Sequence, residues 1–185
     1  MHPLPTPYQF LNKEPGPRIL TEMLKLHGTI ESPGPHNNPI IMSWAAELQK
    51  AGNYVGMEYA ADSIPWCGIA TGIAILRADG IPPKICARAS SYDAWGIHQE
   101  IEDAALGDVL RFQREGGGHV GLYVGEDLAG YFHVLGGNQS DSVRVSRIAK
   151  SRCVAVRRFP WRVKQPANVR KVLLGANGQI TKNEA

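Results

Sequence analysis

Gly118-His119-Val120-Gly121-Leu122-Tyr123-Val124-Gly125 alternates residue by residue, and that period of two decides the class of fold. Alternation places His119, Gly121 and Tyr123 on one face of a strand and Val120, Leu122 and Val124 on the other. Asp108–Phe112, Tyr131–Leu135, Val143–Val145 and Cys153–Phe159 read the same way. Gly116-Gly117-Gly118, the run from Gly125 to Gly130, and Gly136-Gly137-Asn138 supply the turns between them. The second half of the chain is therefore expected to form five short strands in an antiparallel meander.

Upstream of Asp108 the apolar period is helical. Leu20, Met23, Leu24 and His27 share one face of a helix expected from about Pro17 to His27, which Gly28 ends. Ser32-Pro33-Gly34-Pro35-His36-Asn37-Asn38-Pro39 then breaks regular structure. A second helix is expected from about Ile40 to Lys50, with Ile41, Trp44, Ala45 and Leu48 as its stripe, and an irregular lead from Asn53 to Ser63 follows. A third starts around Cys67, where Pro65 suits a first turn and Ile69, Gly72, Ile73 and Leu76 recur at helical spacing. It should stop near Asp79-Gly80, before Pro82-Pro83. The Pro-rich lead Met1–Pro7 should be extended, and Ala87–Gly107 reads as a connector. Helices first and strands later is an α+β pattern, with N-terminal helices packed on a five-stranded antiparallel sheet. One domain over 1–185 is expected: a helical region 1–57, a core 58–163 and a tail 164–185 without periodicity.

Composition narrows the function classes. Three cysteines, Cys67, Cys86 and Cys153, contain no C-x-x-C pair, so neither a disulfide framework nor a structural metal site is suggested. No cofactor or metal is expected. The N-terminus lacks a basic start followed by an apolar run, and no apolar stretch is long enough to span a bilayer. The net charge of +3 conceals an asymmetry: eleven Lys and Arg lie from Arg144 onward against Glu184 alone, whereas the preceding segment carries nine against sixteen acidic residues. A basic segment attracts polyanions such as an anionic wall or membrane surface. Nucleic-acid binding is not expected, because no aromatic-interleaved stacking platform accompanies these charges.

Two residues carry the candidate chemistry. Cys67 at a helix start would meet unpaired backbone N–H groups and the positive end of the helix dipole, which favour thiolate over thiol and should set it apart from Cys86 and Cys153. The alternative is a buried small hydrophobe, as most free cysteines are. His119 begins its strand after three glycines, and an imidazole suits the proton transfers of a thiol nucleophile. Its face is expected to meet the helix end carrying Cys67; the alternative is a solvated strand-end histidine.

Five blocks, taken in order, carry a resemblance: Ile64-Pro65-Trp66-Cys67, Ala87 to Gly96, Gly107-Asp108-Val109-Leu110-Arg111-Phe112, Gly118 to Gly125, and Val134-Leu135-Gly136-Gly137-Asn138-Gln139. Together they resemble a phage- and bacteria-associated branch of the papain-like peptidoglycan hydrolases, close to the CHAP and NlpC-type families. Asn37-Asn38-Pro39 and Thr181-Lys182-Asn183-Glu184-Ala185 extend the likeness. The resemblance implies a papain-like fold and metal-free cleavage of an amide bond in peptidoglycan, within the stem peptide or between sugar and peptide. Cys67 matches the nucleophile and His119 the base. For the third residue, the Leu-Gly-Gly-Asn block points to Asn138 and the NlpC-type pattern to His133, with Asp141 a weaker choice. Asn138 is favoured, since a neutral amide holds one imidazole tautomer without adding a second titrating base. Trp66, Ser90, Trp95 and Gly118 are the candidate substrate contacts, although ordinary packing accounts for Trp95 equally well.

The expected function is a cysteine-dependent peptidoglycan hydrolase, made in the cytoplasm without a signal peptide and acting on the wall after release or delivery, as a phage lysin or a delivered toxin. Two alternatives stand beside it. One is a non-catalytic wall-binding or phage tail module on the same fold; the other is a zinc hydrolase using Cys67, His119 and His133, which lack the local spacing of a zinc motif.

Overall fold

The computed structural model describes residues 3–52 and 59–175. Among them the helices come first: α1 (Arg18–Leu26), α2 (Pro39–Lys50) and α3 (Cys67–Arg77). The strands follow: β1 (Ile97–Gln99), β2 (Val109–Arg114), β3 (Gly117–Glu126), β4 (Tyr131–Gly136), β5 (Arg144–Ala149) and β6 (Cys153–Arg158). They form one antiparallel sheet in the order β1-β6-β2-β3-β4-β5. The α+β class expected from the periodicity is therefore observed, with six strands instead of five. The additional strand, β1, lies in the stretch read as a connector. Its three residues pair with β6, and none of the three is fully buried, so no hydrophobic alternation marked it.

Two local expectations are also corrected, and the tail is ordered where it is described. The Pro-rich lead is extended only as far as Pro5: Thr6–Lys13 is 3₁₀-helical and seats Tyr8 and Leu11 in the core. Pro65 does not occupy the first turn of α3, because Trp66 is the cap and Cys67 the first helical residue. The tail docks as far as it is described. Leu106 N–H donates to Arg170 O, and Glu126 exchanges backbone bonds with Val172 and Leu174. Part of the expected lead from Asn53 to Ser63, and the block Thr181–Ala185, lie outside the described residues.

Asn38 starts α2 as a side-chain cap, its Oδ1 accepting from Ile40 N–H at 2.8 Å, with Pro39 at the first helical position. Asp62 holds the approach to that cap by accepting the N–H groups of Ser32 and Asn38, each at 2.8 Å. Thus the turn-rich stretch from Ser32 to Pro39 is tied down by a buried carboxylate.

The sheet packs on both faces. Val120, Leu122 and Val124 join the helices in one apolar cluster with Ile69, Ala70 and Ile73 of α3. Leu110, Phe112, Tyr123, Phe132 and Val156 form a second cluster on the other face. The two faces of β3 alternate as expected, but the face under α3 is the valine face.

Part of the charge asymmetry along the chain resolves into internal ion pairs, which take four of the eleven cations from Arg144 onward. Arg147 meets Asp127 at 2.6 Å, Lys150 meets Glu126 at 3.1 Å, Arg158 meets Asp108 at 2.8 Å and Arg170 meets Glu14 at 2.8 Å. In each, a cation from the basic end neutralises an acid from the preceding segment. No helix among the described residues is long and apolar enough to cross a membrane.

The start of α3 packs closely on Gly137, the residue after β4. A Cβ built on Gly137 would lie 2.5 Å from the Ala70 Cβ and 2.7 Å from the Trp66 ring, neither of which is a flexible chain end. Gly137→Ala is expected to lower the unfolding free energy by about 1–3 kcal/mol, the usual cost of overpacking. Denaturant unfolding checks this; an unchanged midpoint would contradict the contact.

Candidate active site

Cys67 enters from the first position of α3, where Trp66 directs the chain. The Trp66 ring is fully buried, packs on Trp44 at a centroid distance of 6.0 Å and donates Nε1–H to Glu31 at 3.1 Å. Glycine follows Cys67 for a steric reason, since a Cβ on Gly68 would overlap the backbone carbonyl oxygens of Cys86 and Ala87. Tyr92 bridges the same segments, its hydroxyl donating to Gly68 O at 2.6 Å and lying 3.2 Å from Cys86 O.

Cys67 is buried, only 3% of the residue being exposed. Burial pushes its pKa up; the backbone N–H groups of Val120 and Gly68 and the charge of Arg114 pull it back only part of the way. Burial likewise raises Cys86 to about 11 and Cys153 to about 12. The expectation of a thiol poised below its ordinary pKa by the helix end is thus overturned, because desolvation outweighs the nearby dipoles.

His119 is fully buried on β3 and pairs across the ladder with Phe112, whose ring lies 6.4 Å away between centroids. By alternation its side chain leaves β3 on the side away from Val120, Leu122 and Val124, the residues packed on the body of α3. The strand also reaches the thiol through the next residue, Val120, whose N–H helps to lower the Cys67 pKa.

The residue that meets His119 is Gln139. Its Oε1 lies 3.1 Å from His119 Nε2. Its Nε2 donates to the carbonyls of Val134 at 3.1 Å and Gly136 at 3.3 Å, and to that of Arg144. Three carbonyl acceptors fix the amide group's orientation, so the atom facing the histidine is an oxygen and can only accept. Neutral His119 must then carry its proton on Nε2, which leaves Nδ1 as the basic nitrogen. This is the role assigned from sequence to Asn138 or His133. Asn138 occupies a left-handed conformation (φ 54°) and begins the turn that aims Gln139 inward. Both residues lie in the quoted Gly-Gly-Asn-Gln block, but alternation gives no guide through a turn.

His133 belongs elsewhere. It pairs with Gly125, six residues along β3 from His119, a separation of about 20 Å at strand rise. Its Nδ1 lies 2.7 Å from the Tyr8 hydroxyl and its Nε2 3.1 Å from Asp127, which Arg147 also binds through Nε at 2.7 Å. With both ring nitrogens engaged there, it does not join Cys67 and His119 around a metal. Among the described residues no group of three or more His, Cys, Asp or Glu side chains could hold a metal ion.

Cys67 lines a cleft of about 250 Å³ together with Ser90, Gly118, Arg88, Arg111 and Gln113. Of the four expected substrate contacts, Ser90 and Gly118 are there, and Trp66 and Trp95 are not. Trp66 is buried as described; Trp95 donates Nε1–H to Ile81 O at 2.8 Å and packs edge-on against Phe159. Both tryptophans are structural. The arginines escaped notice in the sequence because isolated cations usually make a solvated face.

A scan against protein-family models finds no match to this chain, and a search of curated proteins finds none either.

Two outcomes are expected from this geometry. In Cys67→Ala protein, neutral His119 should be the Nε2–H tautomer, read from its ring ¹⁵N shifts; the Nδ1–H form would contradict the Gln139 assignment. The second concerns the buried His133. Burial lowers its pKa below 6.5, and the raising effect of Asp127 does not restore it. As pH falls through 6.5, the unfolded chain therefore takes up a proton that the folded chain refuses, and stability falls by up to about 1.4 kcal/mol per pH unit. Burial alone would raise the Asp127 carboxyl, but its bonds to Arg147, His133 and the Tyr131 N–H outweigh that and hold it below the ordinary range. It thus adds stability above its unfolded pKa, lost only as pH falls through its lowered folded value. Denaturant midpoints between pH ~7 and ~5 should show the histidine slope, and His133→Asn should flatten it.

Proposed function

We propose that this protein is a cysteine-dependent peptidoglycan hydrolase of the papain-like kind, cleaving an amide bond of the stem peptide or of the sugar–peptide link. The observation that carries this reading is the Gln139–His119 pair, beside a strand residue whose N–H reaches the Cys67 sulfur. A glutamine clamped by three carbonyls is a costly way to hold a solvated or merely packed histidine. It is a suitable way to present one tautomer to a nucleophile. The order of the blocks around Cys67, His119 and Gly136-Gly137-Asn138-Gln139 points to the same substrate class.

In this mechanism His119 Nδ1 takes the proton of the Cys67 thiol, and the sulfur attacks the amide carbonyl carbon. The Cys67 backbone N–H stabilises the oxyanion. The C–N bond breaks, the amine departs with the proton from His119, and water then hydrolyses the thioester. The protein would act on the wall after release or delivery, as a phage lysin or a delivered toxin. The cations of the basic end outside the ion pairs described above would add attraction to an anionic wall or membrane surface.

One observation favours a second reading, a non-catalytic wall-binding or tail module on the same fold: Cys67 is buried and its thiol pKa is raised. The two readings separate on turnover. Purified protein should release soluble fragments from isolated sacculi, insensitive to chelator, and Cys67→Ala or His119→Ala should lower the rate by at least about 10²-fold. Because the thiol pKa is raised, the rate and its inactivation by iodoacetamide should climb as pH rises from neutral. Intact sacculi with wild-type protein at alkaline pH would remove the hydrolase reading, and retention of the protein on those sacculi would then support the binding module. Full activity in Cys67→Ala would remove the thiol from the mechanism.

A further inference from the structure

The cleft beside Cys67 has an electrostatic character that the hydrolase reading does not require. Arg88 and Arg111 line it, with Gln113 and Ser90 as the polar neutral groups, and no Asp or Glu is among its lining residues. Arg111 stands on β2 opposite Val120, so its side chain is on the α3 face of the sheet, next to Gly118. Its guanidinium is held in place from two sides. Asp93 lies 3.2 Å from Nε, and Gln113 Oε1 accepts from Nη1 at 2.7 Å. Those contacts leave Nη2 with two donors and no acceptor among the described residues, on a side chain only 12% exposed. Gly118 closes the other wall, since a Cβ there would come within 3.3 Å of the Ala89 Cβ. Arg114 adds a third cation whose field reaches the Cys67 sulfur.

A fixed, partly desolvated guanidinium with its Nη2 donors open is suited to a carboxylate, which it meets with a charge-assisted hydrogen bond. Arg88, on the exposed rim, supplies a second cation at the entrance. We infer that this cleft is a carboxylate-binding subsite: Arg111, assisted by Arg88, takes a free carboxylate of a peptide whose amide is presented to Cys67. The substrate class is thereby narrowed to an amide flanked by an acidic residue with its carboxylate unmodified. This rests on the hydrolase reading for its meaning in turnover, but the binding itself does not depend on turnover.

The test uses Cys67→Ala protein and two probes, the tetrapeptide L-alanyl-γ-D-glutamyl-L-lysyl-D-alanine and the same peptide with its glutamyl α-carboxylate amidated. Calorimetry should find the free acid bound at least about tenfold more tightly, with the difference shrinking as salt rises. Arg111→Gln should abolish the preference. Arg88→Gln, at an exposed position where folding is not at stake, should reduce it. Equal binding of both peptides, or a preference that survives both substitutions, would overturn the subsite. Carboxylate preference without hydrolysis of sacculi by wild-type protein keeps the subsite and removes the hydrolase. Hydrolysis without the preference does the reverse.

Discussion

The approach of α3 to its neighbours at backbone distance is the constraint on which the candidate site depends. Gly68 lets the helix sit on the carbonyls of Cys86 and Ala87, and Gly137 lets β4 end against Ala70 and Trp66. Larger residues at either position would push the helix start away from the sheet. Cys67 would then lose the Val120 N–H, and the turn carrying Gln139 would shift relative to His119. Around these two contacts, fully buried Trp44, Trp66 and Tyr92 fill the volume, and the polar atoms of Trp66 and Tyr92 are spent on structural partners.

Buried polarity in this molecule is divided into two separate systems. In one, Gln139 joins His119 to the carbonyls of β4 and β5. In the other, Tyr8, His133, Asp127 and Arg147 tie the N-terminal 3₁₀ segment to the far end of the sheet. The second carries full charges out of water and is complete: the carboxylate meets a guanidinium, an imidazole and two backbone N–H groups. Such a network costs desolvation and returns geometric definition, which is how a Pro-rich lead without apolar periodicity acquires a fixed place. The first is centred on an uncharged amide, and its consequence is a choice of tautomer for the neutral ring.

The Cys67 thiol illustrates competition between two effects of comparable origin. Helix N-terminal N–H groups and a nearby arginine favour thiolate, whereas removal from water favours thiol. The second prevails here because Cys67 is buried. A nucleophile in that state relies on its base for activation, which gives the orientation of His119 more weight than a pre-formed thiolate would. The arginines of the cleft belong to the same balance, since they lower the cost of negative charge arriving beside the sulfur.

Sequence alone determined the parts that rest on short-range periodicity. The three helices, the five longer strands, the alternation within β3 and the placing of Cys67 at a helix start all follow from spacings of 3.6 and 2, with glycine and proline as punctuation. The presence of a thiol and an imidazole in chain order was also legible. Tertiary structure decided what depends on residues distant in the chain. β1 exists because β6 offers it an edge; α3 lies on the valine face because that is where the apolar surfaces match. Gln139, not Asn138 or His133, reaches His119 because a turn with left-handed residues re-aims the chain where no period applies. The raised thiol pKa and the pairing of the basic end with earlier acids were likewise invisible, since desolvation and ion pairing are set by which atoms fold together and not by their order.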